Sequence, residues 1–307
     1  MEGKSFPMKF SDDTNRICQS MIEQMNLPEN FSVIVEQSYQ PLSKIIMDKA
    51  SSRGLSSPLF VNVNGAQGTG KSTLTAFLKN IIESETGSRV AELSIDDFYL
   101  TRTERQQLSD DVHPLFITRG VPGTHDLDLI EQVMQSLSHR QACHIPRFDK
   151  AVDDRHDSSQ WTKNDEPVDV ILFEGWCNSS PVQSDDELVD PVNELEAAED
   201  AEGIWRRYAN QQLKQYHEKI FDHADLSIML NAGEFERIYE WRSLQEEKLR
   251  QSSGDTEHVM NEDQLRRFIQ HYERISRHTL NHLPKNADVV LPIAEDHSIT
   301  GIIQKDV

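Results

Sequence analysis

The stretch LFVNVNGAQGTGKSTLTAF, residues 59–77, decides the fold of this chain. It begins with a short β-branched and aromatic run, Leu59 to Asn64, which predicts a strand. A glycine-rich turn follows, and then a pattern typical of a helix from about Lys71 to Ile82. The turn GAQGTGKST, Gly65 to Thr73, fits the Walker A pattern GxxxxGK[ST] in the strand-loop-helix context that makes this pattern reliable. The stretch therefore predicts a loop that binds the phosphates of a nucleotide.

Each residue type in this loop has a physical reason to be there. Gly65, Gly68 and Gly70 allow a tight turn whose N–H groups point inward, and the following helix directs its positive end at the phosphates. Lys71 is expected to reach the β- and γ-phosphates of ATP, and the Ser72 hydroxyl is expected to ligate Mg²⁺. The predicted nucleotide-binding residues of the loop are Gly65, Gln67, Gly68, Thr69, Gly70, Lys71, Ser72 and Thr73.

Further strands and helices alternate along the rest of the chain. Apolar runs predict strands at Val90 to Ile95, Val168 to Phe173, Leu226 to Leu230 and Val289 to Ile293. Helical patterns at Glu234 to Arg250 and Glu262 to Leu283 separate the later strands. This alternation predicts an α/β fold with a doubly wound parallel sheet of the P-loop type. In such sheets ligands bind at the carboxyl ends of the strands, which is where Gly65, Asp96 and Glu174 fall.

The predicted domain organisation has two parts. Residues 1–56 form an N-terminal helical extension, with helical patterns at Ile17 to Met25 and Val33 to Met47. Residues 57–307 form the P-loop kinase domain, which includes a helical lid and an insertion at about 184–260. Within that insertion the acidic segment SDDELVDPVNELEAAEDAEG, Ser184 to Gly203, is expected to be an exposed, mobile surface segment.

The overall composition excludes several classes of partner. The chain has 52 acidic and 31 basic residues and a formal net charge of -21, which repels DNA and RNA, so we expect no nucleic-acid partner. It lacks an N-terminal apolar signal region and any apolar run long enough to span a bilayer, so we expect no membrane partner and a cytoplasmic location. Three widely separated cysteines fit reduced thiols in such a compartment. The sequence makes no prediction about protein partners.

Acidic residues after two strands predict which chemistry the loop serves. Phosphoryl transfer to an alcohol needs a carboxylate that orients the hydroxyl and takes its proton, and Asp96 is the candidate, with Asp97 as its rival. Glu174 closes the strand VDVILFEG in the manner of a Walker B acid. We therefore predict Lys71, Asp96 and Glu174 as catalytic residues and Ser72, Asp96 and Glu174 as magnesium ligands. A non-enzymatic nucleotide-binding switch remains an alternative.

The order of the motifs resembles a known family. GAQGTGKST, LSIDDFYLT, RGVPGTHDLDL, PRFDKAVDDR, ILFEGWC and EWRSLQEEKLR look like D-glycerate 3-kinase and its kinase-like relatives, within the wider set of phosphoribulokinase, uridine kinase and pantothenate kinase. The resemblance covers nearly everything from Leu59 to Ile293. It implies that Asp96 is the catalytic carboxylate and that D-glycerate accepts the phosphoryl group, at the 3-hydroxyl. Pantothenate, a nucleoside or another small alcohol remains open as an alternative acceptor.

Basic residues in two segments predict an acceptor pocket. The turn RGVPGTHDLDL and the segment PRFDKAVDDR supply the local positive charge that an anionic hydroxy acid would need in so acidic a chain. Any one of these side chains could instead belong to a surface ion pair. The predicted acceptor-binding residues are Asp97, Arg119, His125, Asp126, Arg147, Lys150 and Arg155.

A helical lid is expected to close over the phosphates and exclude water. Two stretches carry suitable arginines, one with Arg206 and Arg207 and the other with Arg237 and Arg242. The family resemblance favours Arg242 as the phosphate contact, although an ion pair with Glu246 is an alternative for that side chain. The aromatic residues of the second stretch are expected to pack in the core; they are Phe235, Tyr239 and Trp241.

Overall fold

The computed structural model describes residues 10–28, 30–53, 57–252 and 260–305, with the backbone alone for 245–252. The helices of this part of the chain are α1 (Asp12–Gln24), α2 (Phe31–Ile34), α3 (Gln40–Arg53), α4 (Lys71–Thr86), α5 (Arg102–Asp111), α6 (Leu127–Ser138), α7 (Glu194–Glu199), α8 (Ile204–Lys219), α9 (Phe235–Ser252) and α10 (Glu262–His282). A π-helical turn, Val35–Tyr39, joins α2 to α3 without a break.

The strands are β1 (Leu59–Gly65), β2 (Val90–Ser94), β3 (Cys143–Ile145), β4 (Phe148–Asp149), β5 (Asp154–Arg155), β6 (Thr162–Asn164), β7 (Val170–Gly175), β8 (Leu226–Asn231), β9 (Val289–Pro292) and β10 (Ile303–Gln304). The predicted strands and helices are confirmed, with ends that shift by a few residues.

One sheet of six strands organises the molecule, in the order β10-β9-β8-β1-β7-β2. All its neighbouring strands run parallel except the edge pair β9 and β10, which is antiparallel. The predicted α/β class with a mostly parallel, doubly wound sheet is therefore confirmed. β3 with β6 and β4 with β5 form two small antiparallel pairs outside this sheet.

Helices cover both faces of the sheet because each strand alternates its apolar side chains between two cores. On one face Val61 and Val63 of β1 pack in a core shared with α1, α3, α4 and α9. On the other face Phe60, Ile171 and Phe173 pack in a core shared with α6, α8 and part of α10. The sheet is thus buried between two layers of helices, and its carboxyl edge is the part left for ligands.

The N-terminal helices pack onto the sheet layer. α1 and α3 both lie against α4, and Cys18, Leu42 and Ile46 are buried in the same core as β1. The proposed boundary at residue 56 falls on positions 54–56, which lie outside the described residues, and the two-part division stays a prediction. The last part of the proposed lid, residues 253–259, also lies outside them.

The acidic segment Ser184 to Gly203 is anchored by two buried carboxylates. Glu196 accepts hydrogen bonds of 2.7 and 2.6 Å from the guanidinium of Arg274 on α10. Asp200 accepts one of 2.9 Å from Arg206 on α8. Our expectation of an exposed segment is wrong for Glu196 and Asp200, since burial of a charge is tolerated when an opposite charge pairs with it.

Within the described residues, no helix combines the length and the apolar character needed to cross a membrane. The three cysteines are unpaired, as expected for thiols, and burial raises the pKa of Cys177 and Cys18.

Candidate active site

A cleft of about 490 Å³ opens at the carboxyl edge of the sheet, above β1, β2 and β7. Some residues of its wall were predicted to bind the nucleotide, and others were not among the predicted site residues. The lining residues are Gln67, Gly68, Gly70, Lys71, Ser72, Thr73, Asp96, Tyr99, Arg119, Lys150, Trp176, Arg242, Phe268 and Tyr272.

The glycine-rich loop is held in a shape that side chains would disturb. Gly68 and Gly70 have φ angles of 83° and 84°, in the left-handed region that favours glycine. A Cβ atom at Gly65 would lie 2.6 Å from Oγ1 of Thr69, which itself donates a 2.8 Å hydrogen bond to the Ala66 carbonyl. Gly65 and Thr69 therefore shape the loop from behind, while the other predicted loop residues face the cleft.

Helix α9 supports the loop from outside. A Cβ atom at Gly68 would lie 3.1 Å from Cβ of Trp241, whose indole N–H donates to the backbone carbonyl of Glu295 at 3.3 Å. Phe235 and Trp241 are buried and Tyr239 packs at the edge of the same core, which agrees with the core role expected for these aromatics. The loop thus rests on a packed aromatic layer.

Glu174 lies inside β7, directly beside the loop. The Ser72 hydroxyl donates a 2.7 Å hydrogen bond to its Oε1, and Nζ of Lys71 lies 3.9 Å from its Oε2. Oε2 is buried and has no hydrogen-bond partner within the described residues. A hydroxyl and a carboxylate with an uncommitted oxygen are the hard oxygen ligands that Mg²⁺ prefers, so Ser72 and Glu174 fit this ion.

Asp96 faces the cleft with two partners. Nζ of Lys150 donates to its Oδ2 at 2.7 Å, and the Tyr99 hydroxyl donates to its Oδ1 at 2.8 Å. Burial alone would raise the pKa of this carboxyl, but the charges of Lys150 and Lys71 and the two hydrogen bonds outweigh it and hold the pKa at about 2. Asp96 is therefore ionised at neutral pH.

Asp97, its neighbour, faces elsewhere. Its carboxylate accepts 2.6 Å and 3.2 Å hydrogen bonds from Nη1 of Arg147 and from the backbone N–H of Phe148. Neither Asp97 nor Arg147 belongs to the described wall of the cleft. The pair instead attaches β4 to the turn that follows β2, because a 3₁₀ turn at Ile95–Phe98 sends consecutive side chains in different directions.

Arg119 and Lys150 are cations of the cleft wall that lie outside the glycine-rich loop. Arg119 forms an ion pair with Asp153, and its guanidinium lies 5.4 Å from the centre of the Phe148 ring. Lys150 is 59% exposed, and among the described residues its head group contacts Asp96. Of the seven predicted acceptor-binding residues, these two line the cleft.

His125 is buried behind Tyr99. The two rings stack with centres 4.5 Å apart, and Nδ1 of His125 lies 3.0 Å from the Tyr216 hydroxyl. Burial lowers the pKa of His125 to about 3, so the imidazole is neutral at physiological pH. It supports the ring of Tyr99 from the side away from the cleft wall.

Asp126 and Arg155 form a second support. The Asp126 carboxylate caps α6 by accepting from the backbone N–H of Leu129 at 3.0 Å, and it accepts a 3.1 Å hydrogen bond from Arg155. Arg155 also donates two hydrogen bonds, of 3.1 and 3.0 Å, to the Tyr99 carbonyl. Both side chains hold the backbone at Tyr99 and lie outside the described cleft wall.

Among the lid candidates, Arg242 lines the cleft, where its guanidinium lies 5.8 Å from the centre of the Phe268 ring. Arg206 is buried against Asp200, and Arg207 donates to the Glu202 carbonyl. Arg237 donates to the carbonyls of Ala232 and Ile293, which directly follow β8 and β9. The side chain of Glu246, the alternative partner of Arg242, lies outside the described residues.

Four aromatic residues of the wall were missed by the sequence reasoning. Tyr99 and Trp176 stand next to predicted acids, in SIDDFYL and FEGW, so their position was a signal. Phe268 and Tyr272 lie on α10, where the helical spacing of apolar residues predicts only core packing. Tyr272 donates a 3.2 Å hydrogen bond to the Arg119 carbonyl, a contact between residues 153 positions apart.

Comparisons with known proteins agree with this geometry. Residues 60–206 match the model of the phosphoribulokinase / uridine kinase family. The chain is 31% identical over 227 residues to the uncharacterized kinase mug58 of Schizosaccharomyces pombe, an alignment that covers 70% of this chain and 78% of that protein.

Two further relatives are D-glycerate 3-kinases. The chloroplastic D-glycerate 3-kinase of Arabidopsis thaliana is 29% identical over 227 residues, which cover 70% of this chain but 46% of that protein. The solved structure of D-glycerate 3-kinase from Cryptococcus neoformans var. grubii superposes with a TM-score of 0.72 at 26% identity, and covers 87% of this chain and 99% of that one.

Proposed function

Because this chain belongs to the phosphoribulokinase / uridine kinase family, as a glycerate kinase-like P-loop kinase, we propose that it transfers the γ-phosphoryl group of ATP to the 3-hydroxyl of D-glycerate. The observation that carries the proposal is the shared cleft, whose wall has a phosphate-binding loop on one side and Asp96, Arg119 and Lys150 on the other. An anionic hydroxy acid fits the second side because it offers a carboxylate to the cations and a hydroxyl to Asp96.

The donor half binds the triphosphate. The N–H groups of the loop and the amino group of Lys71 neutralise the phosphate oxygens, and Lys71 stabilises the charge that grows on them during transfer. Ser72 and Glu174 would hold Mg²⁺, which when bound supplies further neutralisation of the phosphates. Arg242 approaches from α9 and adds a positive charge on the open side.

Asp96 orients the acceptor hydroxyl and receives its proton. A carboxylate with a pKa of about 2 accepts hydrogen bonds readily but is a weak base, since its negative charge is compensated by Lys150. When the carboxylate of the acceptor draws Lys150 to itself, Asp96 loses that compensation and its pKa rises. Binding of the correct, anionic acceptor therefore makes the base stronger.

The remaining predicted residues have supporting roles in this proposal. Asp97 and Arg147 fix the β4 strand that precedes Lys150, while His125, Asp126 and Arg155 fix Tyr99. Tyr99 in turn positions the Asp96 carboxylate through its hydroxyl. These residues position the catalytic group without contact with the acceptor.

An acceptor screen tests the proposal. The purified protein is incubated with MgATP and either D-glycerate, L-glycerate, pantothenate or uridine, with coupled detection of ADP and mass and NMR analysis of the product. We expect turnover of D-glycerate to 3-phosphoglycerate, and a Lys71→Ala preparation controls for contaminating kinases. Turnover of pantothenate or uridine without D-glycerate would replace the acceptor, and ATP binding without turnover of any acceptor would favour a nucleotide switch.

A further inference from the structure

A cluster of metal-binding side chains lies outside the active-site cleft. Glu187, in the 3₁₀ turn Asp186–Leu188 of the acidic segment, faces His278 and His282 on α10. One ligand atom from each of the three residues lies within 4.8 Å of the other two. We propose that these residues bind a divalent transition-metal ion, which ties the acidic segment to α10.

The two histidines have the spacing that a helix needs for chelation. Positions i and i+4 lie on one face of a helix, one turn apart. The ring centres of His278 and His282 are 4.3 Å apart with an interplanar angle of 31°, so both rings point to the same side of α10. A pair of imidazoles with this spacing on one helix face is a common half of a zinc site.

Glu187 supplies the third proposed ligand, a carboxylate that Ser184 orients through hydrogen bonds. The backbone N–H and the hydroxyl of Ser184 both donate to its Oε2 at 2.8 Å, which leaves Oε1 directed at Nδ1 of His278 at 3.4 Å. These hydrogen bonds are the main cause that lowers the pKa of Glu187, so the group is a carboxylate at neutral pH. Oε1 is thus available as a ligand.

His278 is the most enclosed of the three proposed ligands. Its side chain is 9% exposed, whereas that of Glu187 is 43% exposed and His282 is an exposed residue. Burial lowers the pKa of His278, so the ring is neutral and can donate a lone pair.

The nearby arginines are paired with carboxylates, which weakens their repulsion of a bound cation. Arg274 is committed to the buried Glu196, and Arg277 pairs with Glu273 and Glu236. The surrounding segment also contributes several carboxylates to a chain of net charge -21, which raises the local concentration of cations.

The chemistry of the ligands distinguishes this site from the magnesium site proposed at Ser72 and Glu174. Imidazole favours Zn²⁺, Ni²⁺, Cu²⁺ or Fe²⁺, whereas Mg²⁺ prefers oxygen. Metal–ligand bonds of about 2.0–2.2 Å place neighbouring ligand atoms of a tetrahedron about 3.3 Å apart, so the separation of up to 4.8 Å has to shorten by about 1.5 Å. Glu187 and His282 are exposed side chains and can make this adjustment.

Titration with Zn²⁺ tests the proposal on the untagged full chain after removal of metals with EDTA. We expect calorimetry to give one Zn²⁺ per chain, with affinity reduced at least about tenfold in His282→Ala and in Glu187→Gln. Both substituted positions are exposed, so the variants should fold, and circular dichroism checks this. The matched control is His139→Ala, an exposed histidine at the end of α6 that should leave the affinity unchanged.

Two further readouts separate this site from adventitious binding. Co²⁺ should give the visible absorption of a low-symmetry nitrogen and oxygen site in the natural sequence but not in His282→Ala. Zn²⁺ should slow amide hydrogen exchange in residues 184–199, and excess Mg²⁺ should not reverse the effect. The proposal is overturned if both variants bind Zn²⁺ as tightly as the natural sequence, or if exchange in 184–199 is unaffected by Zn²⁺. The outcome does not depend on which acceptor the kinase uses.

Discussion

The two halves of the cleft are built in different ways. The donor half comes from one uninterrupted loop, Gly65 to Thr73, and Glu174 in the adjacent strand. The acceptor half gathers Asp96, Arg119 and Lys150 from the ends of separate segments, with aromatic residues of α10 beside them. The first half is therefore specified locally, while the second exists only after the chain has folded.

The difference extends to how firmly the groups are held. In the donor half the side chain of Lys71 is 14% exposed and that of Glu174 is 5% exposed. In the acceptor half Lys150 is 59% exposed, and its head group contacts one carboxylate within the part of the chain that the structure describes. The groups of the donor half are therefore more enclosed than the head group of Lys150 in the acceptor half.

The largest effect on kcat is expected from a substitution in the donor half. Lys71→Ala removes the positive charge that meets the growing charge on the phosphates, so we expect kcat to fall by about a thousandfold or more with every acceptor. Steady-state kinetics with coupled ADP detection measures it. Lys79→Ala, on the same helix but outside the described cleft wall, is the matched control and should keep its activity. Activity retained in Lys71→Ala would contradict the assignment of the loop.

Substitutions of the adjacent acids Asp96 and Asp97 compare a residue that faces the cleft with a neighbour that does not. Asp96→Asn removes the proposed base, which faces the cleft, and we expect kcat to fall by about a hundredfold to ten-thousandfold while ATP binding stays unchanged. Asp97→Asn loses the ion pair with Arg147, and kcat should fall by less than about tenfold. Calorimetric ATP binding together with kcat separates the two roles. A larger loss of kcat in Asp97→Asn than in Asp96→Asn would reverse our assignment.

A smaller effect than that of Asp96→Asn is expected from loss of a cation in the acceptor half. Lys150→Met should raise KM for the anionic acceptor by about tenfold to a hundredfold, because a charge-assisted contact is lost, and leave KM for ATP nearly unchanged. The pKa of Asp96 is held low mainly by Lys150, so its removal raises that pKa and moves the acidic limb of the pH profile of kcat/KM to higher pH.

The matched control for this charge is Lys163→Met, a substitution of an exposed lysine in β6 that should change neither quantity. An acidic limb that stays in place in Lys150→Met would show that Lys150 does not set the ionisation of Asp96.

Most of the loop residues singled out from the sequence line the cleft, and the reason is physical. The loop needs glycines at positions with positive φ, such as Gly68 and Gly70, and a lysine and a hydroxyl at fixed spacing, so the pattern itself carries the geometry. Asp96 and Glu174 were predictable because parallel strands bring their carboxyl ends together.

The acceptor half was predicted less well because a basic residue in so acidic a chain has many possible partners. Arg147 and Arg155 carry the positive charge expected in an anion-binding pocket. In the fold they instead form ion pairs with Asp97 and Asp126. Tyr272 could not be predicted, since its place in the cleft depends on a helix more than a hundred residues beyond the loop.

Helix α10 contacts both the cleft and the acidic segment. Over its length of about 31 Å it carries Tyr272 at the cleft, then Arg274 in the buried ion pair with Glu196 of the acidic segment. A helix is stiff along its axis. The ion pair that fixes Arg274 against the acidic segment therefore also influences how far Tyr272 projects into the cleft. If residues 184–203 were replaced by the equivalent segment of a relative, we would therefore expect the shape of the pocket for the alcohol to change. Every side chain of the described cleft wall would stay the same.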